Sequence, residues 1–228
     1  MILRPGTVDR DVFVANHEQN EYDLPERIDD WVVIDGGAHI GSFSYTCLTR
    51  GAQHVFSFEP ENHNYTICKQ NLAEFALRST VSRLALWGNG LIGPRQLKIS
   101  EWGMLGTTLN TGGGSLVYGE GIQNVYRVAL DDIINLARVN CQVREIDLLK
   151  LDVEGSEWPI LFGSDKLNQI KRIVGEFHEG TLPFKVKGQS TFTMEDLIER
   201  LTQLGFQVES RRHGSPEEGL GLFSAERL

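Results

Sequence analysis

The chain has 228 residues, a length that suits one α/β domain with helices on both faces of a sheet. Its formal net charge of −9 argues against a polyphosphate partner, because nucleic-acid binders normally present a basic face. No apolar run approaches the roughly 20 residues that would span a bilayer, so no membrane partner is expected either.

The N-terminal stretch MILRPGTVDRDVF lacks the apolar core and small-residue cleavage site of a signal peptide, which makes the cytoplasm the expected compartment. Apolar strands then alternate with helical segments, the pattern of a largely parallel sheet built from βαβ units. A first strand is predicted over Trp31–Asp35, β-branched and continuously apolar, as in a strand covered on both faces. A glycine-rich turn follows, then a helix over about 42–50. The second strand is expected at His54–Glu59, and its helix from near Pro60, with Tyr65, Cys68, Leu72 and Phe75 at three- and four-residue steps. A third strand is expected over about 82–86.

Residues 88–128 break the rhythm and hold 10 of the 24 glycines. With too few apolar residues for a second core, they read as an inserted hairpin or loop region within a single domain spanning 1–228. Alternation resumes with a helix near 130–137 and a fourth strand, IDLLKLD, ending at Asp152. A short helix starts around Ser156, with Pro159 in its tolerant first turn, and strand five covers Arg172–Phe177. The last helix has Thr193 as cap and Asp196 three residues on. Its stripe is Leu197, Ile198, Leu201 and Leu204, and Gly205 stops it. Two short strands, at 207–210 and 220–225, close the chain as an antiparallel pair. Cys47, Cys68 and Cys141 form no CxxC pair and read as reduced thiols.

The strongest motif is VIDGGAHIGS, residues 33–42. Gly37 and Gly41 let the backbone turn sharply and let a ligand approach the helix N-terminus, in the crevice where open α/β sheets hold ligands. The alternative is a tight turn and nothing more. A dinucleotide fingerprint reads GxGxxG, whereas the spacing here is DxGxxxG with Asp35 ending the strand. That carboxylate would repel a pyrophosphate and suits a ligand carrying an ammonium and a sulfonium, as S-adenosylmethionine does. Glu59, ending strand two, stands where an acid accepts hydrogen bonds from a ribose diol. After strand three, Trp87 is either an adenine wall or an ordinary core residue.

Three blocks, VIDGGAHIGSFS (33–44), VFSFEPENHNYTICKQNL (55–72) and IDLLKLDVEGSEWPILFG (146–163), resemble the FkbM family of S-adenosylmethionine-dependent methyltransferases. Weaker echoes are GTVDRDVF (6–13), VALDDII (128–134) and IVGEFHE (173–179). Two positions depart from the family: Gly36 is usually a larger aliphatic residue and His39 usually asparagine. The resemblance implies a Rossmann-like, seven-stranded, mostly parallel sheet of order 3-2-1-4-5-7-6 with strand seven antiparallel, and methylation of a hydroxyl on a small natural-product or sugar-like acceptor. With the motif, it implies cofactor contacts from Asp35, Gly36, Gly37, His39, Gly41 and Ser42 in the turn. Glu59, Pro60 and Asn64 follow after strand two, and Ala85, Leu86 and Trp87 after strand three.

In that strand order Asp35, Asp152 and His178 would converge at one rim. Asp152, Glu154 and His178 are then candidates for base and orienting groups, with Lys150 as a charge partner. The plainer alternatives are that Glu154 and Glu157 cap the next helix, that Lys150 only bridges to an acid, and that His178 is a surface residue. Asp152, Glu154 and His178 could also hold a divalent ion such as magnesium, although no HxxxH or HExxH spacing supports it. The N-terminal stretch to about residue 30 and the 88–128 insertion are the expected lids over the acceptor. Self-association stays open, as do two rival readings: a nicotinamide-dependent oxidoreductase and a non-catalytic binding module.

Overall fold

The computed structural model describes residues 1–89, 96–99, 114–115, 121–213 and 219–227. Helix α1 (Asp9–Phe13) runs into a π-turn at Val14–Glu18. The main sheet then takes up seven strands: β1 (Val32–Gly36), β2 (His54–Phe58), β3 (Ser79–Ser82), β4 (Ile146–Leu151), β5 (Ile170–His178), β6 (Phe206–His213) and β7 (Leu220–Arg227). Their spatial order is β6-β7-β5-β4-β1-β2-β3, with β7 antiparallel to both neighbours and the other pairs parallel. This is the 3-2-1-4-5-7-6 arrangement that the family resemblance implies.

The strands sort their side chains as a doubly covered sheet must. All five β1 residues are buried. Val33 faces a core made with Phe43, Cys47 and Leu48 of helix α2 (Ser42–Thr49) and Cys68 and Leu72 around helix α3 (Asn62–Asn71). Tyr22, Leu24 and Ile28 join that core from the N-terminal segment. Val32 and Ile34 face the opposite core. It takes Ile133 and Ile134 from α4 (Leu130–Cys141), Trp158, Ile160 and Leu161 from α5 (Glu157–Gly163), and Leu197 and Leu201 from α6 (Met194–Gln203). Helix α6 begins on a full capping box between Thr193 and Asp196. All three cysteines are free thiols.

Three element assignments are corrected. Strand three of the sheet is Ser79–Ser82, upstream of the predicted 82–86; the apolar segment Ala85–Trp87 instead pairs in parallel with Arg127–Ala129 in a separate two-stranded sheet. Apolarity marked burial there, while the true edge strand is polar. Helix α3 starts at Asn62, because the Glu61 side chain caps it by accepting the Asn64 N–H at 2.7 Å. A hairpin not expected from the sequence, Gly180–Val186 with Gln189–Phe192, sends Leu182, Val186 and Phe192 into the α5 side of the core.

The predicted insertion falls largely outside the described residues. Its described pieces at 96–99, 114–115 and 121–124 form a three-stranded antiparallel sheet. Among the described residues no helix is long and apolar enough to cross a membrane.

Candidate functional site

The carboxyl ends of β1, β2, β4 and β5 form one rim, and the register of the sheet decides which side chains meet there. Asp35 on β1 lies opposite Lys150 on β4. The Lys150 ammonium, about 4% exposed, donates to the carbonyl of Gly37 at 2.8 Å and lies 3.4 Å from Asp35 Oδ1 and 3.5 Å from Asp152 Oδ2. Asp35 has no exposed surface, and its Oδ2 accepts from Ser44 Oγ at 2.6 Å. The carboxylate expected at the end of the first strand is thus held in a buried ion pair with Lys150. The attraction for a cation belongs to the rim as a whole. There the ion pairs of Asp35, Asp152, Glu154 and Glu157 run to Lys150 and His178.

The turn itself is built on left-handed backbone. Gly37 has φ 76° and Gly41, at the N-cap of α2, φ 88°. Opposite Gly36, Leu86 Cδ1 stands only 2.9 Å from where a Cβ would sit, so Leu86 occupies the space of the aliphatic side chain expected there. Ser42 is buried in the first turn of α2. His39, at φ 50°, gives its N–H to Glu59 Oε2 at 2.8 Å, and Glu59 Oε1 accepts from Glu61 N–H at 2.8 Å. The His39 ring lies 3.3 Å from Arg4 and 3.5 Å from Asp9, which Arg4 grips with Nε and NH2. Burial pushes the imidazole down to about 4 despite Asp9, so the ring is neutral.

Glu59 is buried, and burial pushes it up to about 8 against the two N–H groups that favour its charge. Each of its oxygens keeps a lone pair beyond the backbone bond it accepts, which is the capacity a ribose diol needs. Pro60 is half-buried beside it. The remaining expected contacts are buried side chains. Asn64 is buried in the first turn of α3. Ala85, Leu86 and Trp87 are also buried, and the Trp87 ring carries Arg127 at 5.1 Å and Phe184 at 5.7 Å, as a core tryptophan does. With strand three shifted, the residues at its carboxyl end are Ser82, Arg83 and Leu84, none of them fully buried.

Beyond Lys150 the rim carries acids around one imidazole. Asp152 is 32% exposed and Glu154 38% exposed. Burial raises Asp152, but Lys150 and then His178 and His39 outweigh it and hold the carboxyl below its ordinary range. His178 is buried, not a surface residue, with Nδ1 3.1 Å from Glu157, and Nε2 3.3 Å from Glu154 and 3.8 Å from Glu176. Although burial disfavours its charge, Glu157 and Glu154 drive the pKa well above 6.5. A ring protonated on both nitrogens can donate to Glu157 and to Glu154 at once. Lys150 bridges two acids and the turn carbonyl. Glu157 does not cap α5; it reaches back to the N–H groups of Val153 and Gly155. Among the described residues no group of three or more His, Cys, Asp or Glu side chains is arranged to hold a metal ion.

Two of these acids make the fold itself pH-sensitive. Glu59 and Glu176 are both raised from 4.5 to about 8, first by burial, and for Glu176 next by Asp152. A raised folded-state pKa means that stability is fully present below 4.5 and is lost as pH climbs toward about 8. The urea midpoint should fall over that window, and Glu59→Gln should flatten the slope. A slope untouched by Glu59→Gln would show that Glu59 is ionised in the folded chain.

Set beside known proteins, residues 35–208 match the family profile described as the methyltransferase FkbM domain. No curated protein matches the chain. A solved structure from Listeria monocytogenes, inferred to be an S-adenosylmethionine dependent methyltransferase, aligns over 96% of this chain and 99% of its own, at 13% identity and TM-score 0.52. That likeness shows the fold alone. Precorrin-6y C5,15-methyltransferase from Geobacter metallireducens aligns over 100% of this chain and 94% of its own at 14% identity and TM-score 0.48. Magnesium protoporphyrin IX methyltransferase from Synechocystis, solved with S-adenosylhomocysteine, covers 96% and 83% at 12% identity and TM-score 0.47.

Proposed function

Because the chain belongs to the FkbM methyltransferase family, we propose that it methylates a hydroxyl of a small-molecule acceptor at the rim where β1, β4 and β5 end. The observation that carries this reading is the grouping, on neighbouring parallel strands, of the glycine turn, the diol-competent Glu59 and the part-exposed pair Asp152 and Glu154. S-adenosylmethionine bound there would supply a methyl carbon on an electron-poor sulfonium. Glu59 would hold its ribose, the 36–41 turn its methionyl end, and Ser82–Leu84 would border its base. The excess of acid over base at the rim supports a sulfonium and opposes a pyrophosphate.

A hydroxyl gains a methyl only as its proton departs, so the acceptor side needs a base within hydrogen-bond reach. Asp152 and Glu154 are the rim carboxylates open enough to meet an acceptor, and Lys150 and His178 fix where they stand. The chain's net charge of −9 supports a small neutral or cationic acceptor over a nucleic acid.

The reading is tested by titrating the purified chain with S-adenosylhomocysteine and with NAD, then screening alcohols by mass for the gain of one methylene. Binding of NAD alone would refute it. Asp152→Asn should leave S-adenosylhomocysteine affinity nearly unchanged and lower kcat by about 10²-fold or more, the scale of a lost general base. Unchanged turnover would remove Asp152 from the proton path.

A further inference from the structure

The segment after β4 turns on two consecutive left-handed residues, Glu154 at φ 52° and Gly155 at φ 96°. A non-glycine residue held there stores about 1–3 kcal/mol and persists only where its surroundings over-determine it. Glu157 supplies that hold. Its carboxylate, without exposed surface, accepts the N–H of Val153 at 3.1 Å and of Gly155 at 2.8 Å. The same Oε1 lies 3.1 Å from His178 Nδ1, and the next residue, Trp158, donates its indole N–H to the His178 carbonyl at 2.8 Å.

A carboxylate that served the turn alone would face only the two N–H groups. Glu157 adds a third contact, to a ring whose other nitrogen is on Glu154, so one line runs from a buried anchor through an imidazole to a rim acid. Resting on the reading of this rim as the acceptor side, we propose that Glu157 is a positioning residue. By gripping the His178 ring and the 153–155 turn together, it sets the orientation in which Glu154 meets the acceptor hydroxyl. The groups facing His178 are Glu154 from the turn, Glu157 from α5 and Glu176 from β5, with Asp152 acting at longer range.

The test follows the His178 ring nitrogens and the Glu154 carboxyl carbon by NMR across pH, in the full chain and in Glu157→Gln. In the parent both nitrogens stay protonated well above the ordinary imidazole range, because Glu157 and Glu154 flank the ring. In the variant the ring midpoint falls toward the ordinary value of about 6.5. The Glu154 carboxyl signal moves with it, while S-adenosylhomocysteine binds as before. On an alcohol accepted in the screen, kcat of the variant should then drop about tenfold from pH 6 to 8 where the parent stays flat. A uniform loss of kcat with an unmoved ring midpoint leaves Glu157 a brace for the turn and overturns the proposal. Failure of the parent to bind S-adenosylhomocysteine strikes the methyltransfer reading beneath it, whereas uncoupled titrations in a chain that binds strike this inference alone. If Glu157→Gln does not fold, Glu154→Gln reads the same line from its other end. It must lower the His178 midpoint, and a midpoint that stays put overturns the proposal.

Discussion

Lys150→Met should destabilise the chain by about 3–5 kcal/mol, the cost of leaving a buried charge without its partner. Methionine replaces the aliphatic stem but not the ammonium, so Asp35, with no exposed surface, keeps Ser44 as its one hydrogen-bond donor among the described residues. The Gly37 carbonyl loses its donor as well. For a chain of this size the loss corresponds to a fall of about 10 °C in unfolding midpoint. The double change Lys150→Met with Asp35→Asn should recover much of it, because an ion pair removed whole often costs little. It should not recover S-adenosylhomocysteine affinity, since the turn carbonyl stays unheld. If the double variant is no more stable than the single, the cost does not lie in the stranded carboxylate and the pairing is misjudged.

That pair also marks where sequence reasoning reached and where it stopped. Strand β1 is legible because a continuous β-branched run has few alternatives to a doubly covered strand, β2, β4 and β5 because short apolar runs recur between helical segments, and α6 because Thr193 and Asp196 announce its start. The order of the strands came through family likeness, since periodicity carries no information about neighbours. Lys150 could be read as a partner for some acid. Which acid follows from register, Asp35 opposite Lys150, and register is a property of two strands more than a hundred residues apart.

A shorter separation, 35 residues for Arg4, is still too long for local pattern to reveal that Arg4 and Asp9 meet His39. Strand β3 is hard to read because its STVS is polar at the edge of the sheet, while the apolar ALW beside it has the composition of a buried strand. Glu157 looked like a helix-start acid. Its backward reach depends on the left-handed pair at 154 and 155, which the Glu-Gly dipeptide hints at without fixing.

The largest effect of all is expected at Gly37. A Cβ there would lie 1.7 Å from the carbonyl oxygen of Asp152 and 2.8 Å from its carbonyl carbon, and both atoms are backbone. No rotamer change relieves such an overlap; the turn must lift away or β4 must part from β1. The left-handed φ of 76° adds about 1–2 kcal/mol for any residue with a Cβ. Gly37→Ala should therefore cost more than about 4 kcal/mol and abolish S-adenosylhomocysteine binding, a loss on the scale reserved for named core defects. Gly41→Ala is the control. Its φ of 88° carries the same backbone penalty, but the nearest atom is the Cys68 sulfur at 3.0 Å, a side chain that can give way. Its cost should stay near about 1–2 kcal/mol by urea denaturation. Two equal losses would mean that both glycines serve only the turn. A larger loss at 37 assigns the excess to the close approach of the turn and the end of β4, the contact that brings Asp35, Lys150 and Asp152 to one place.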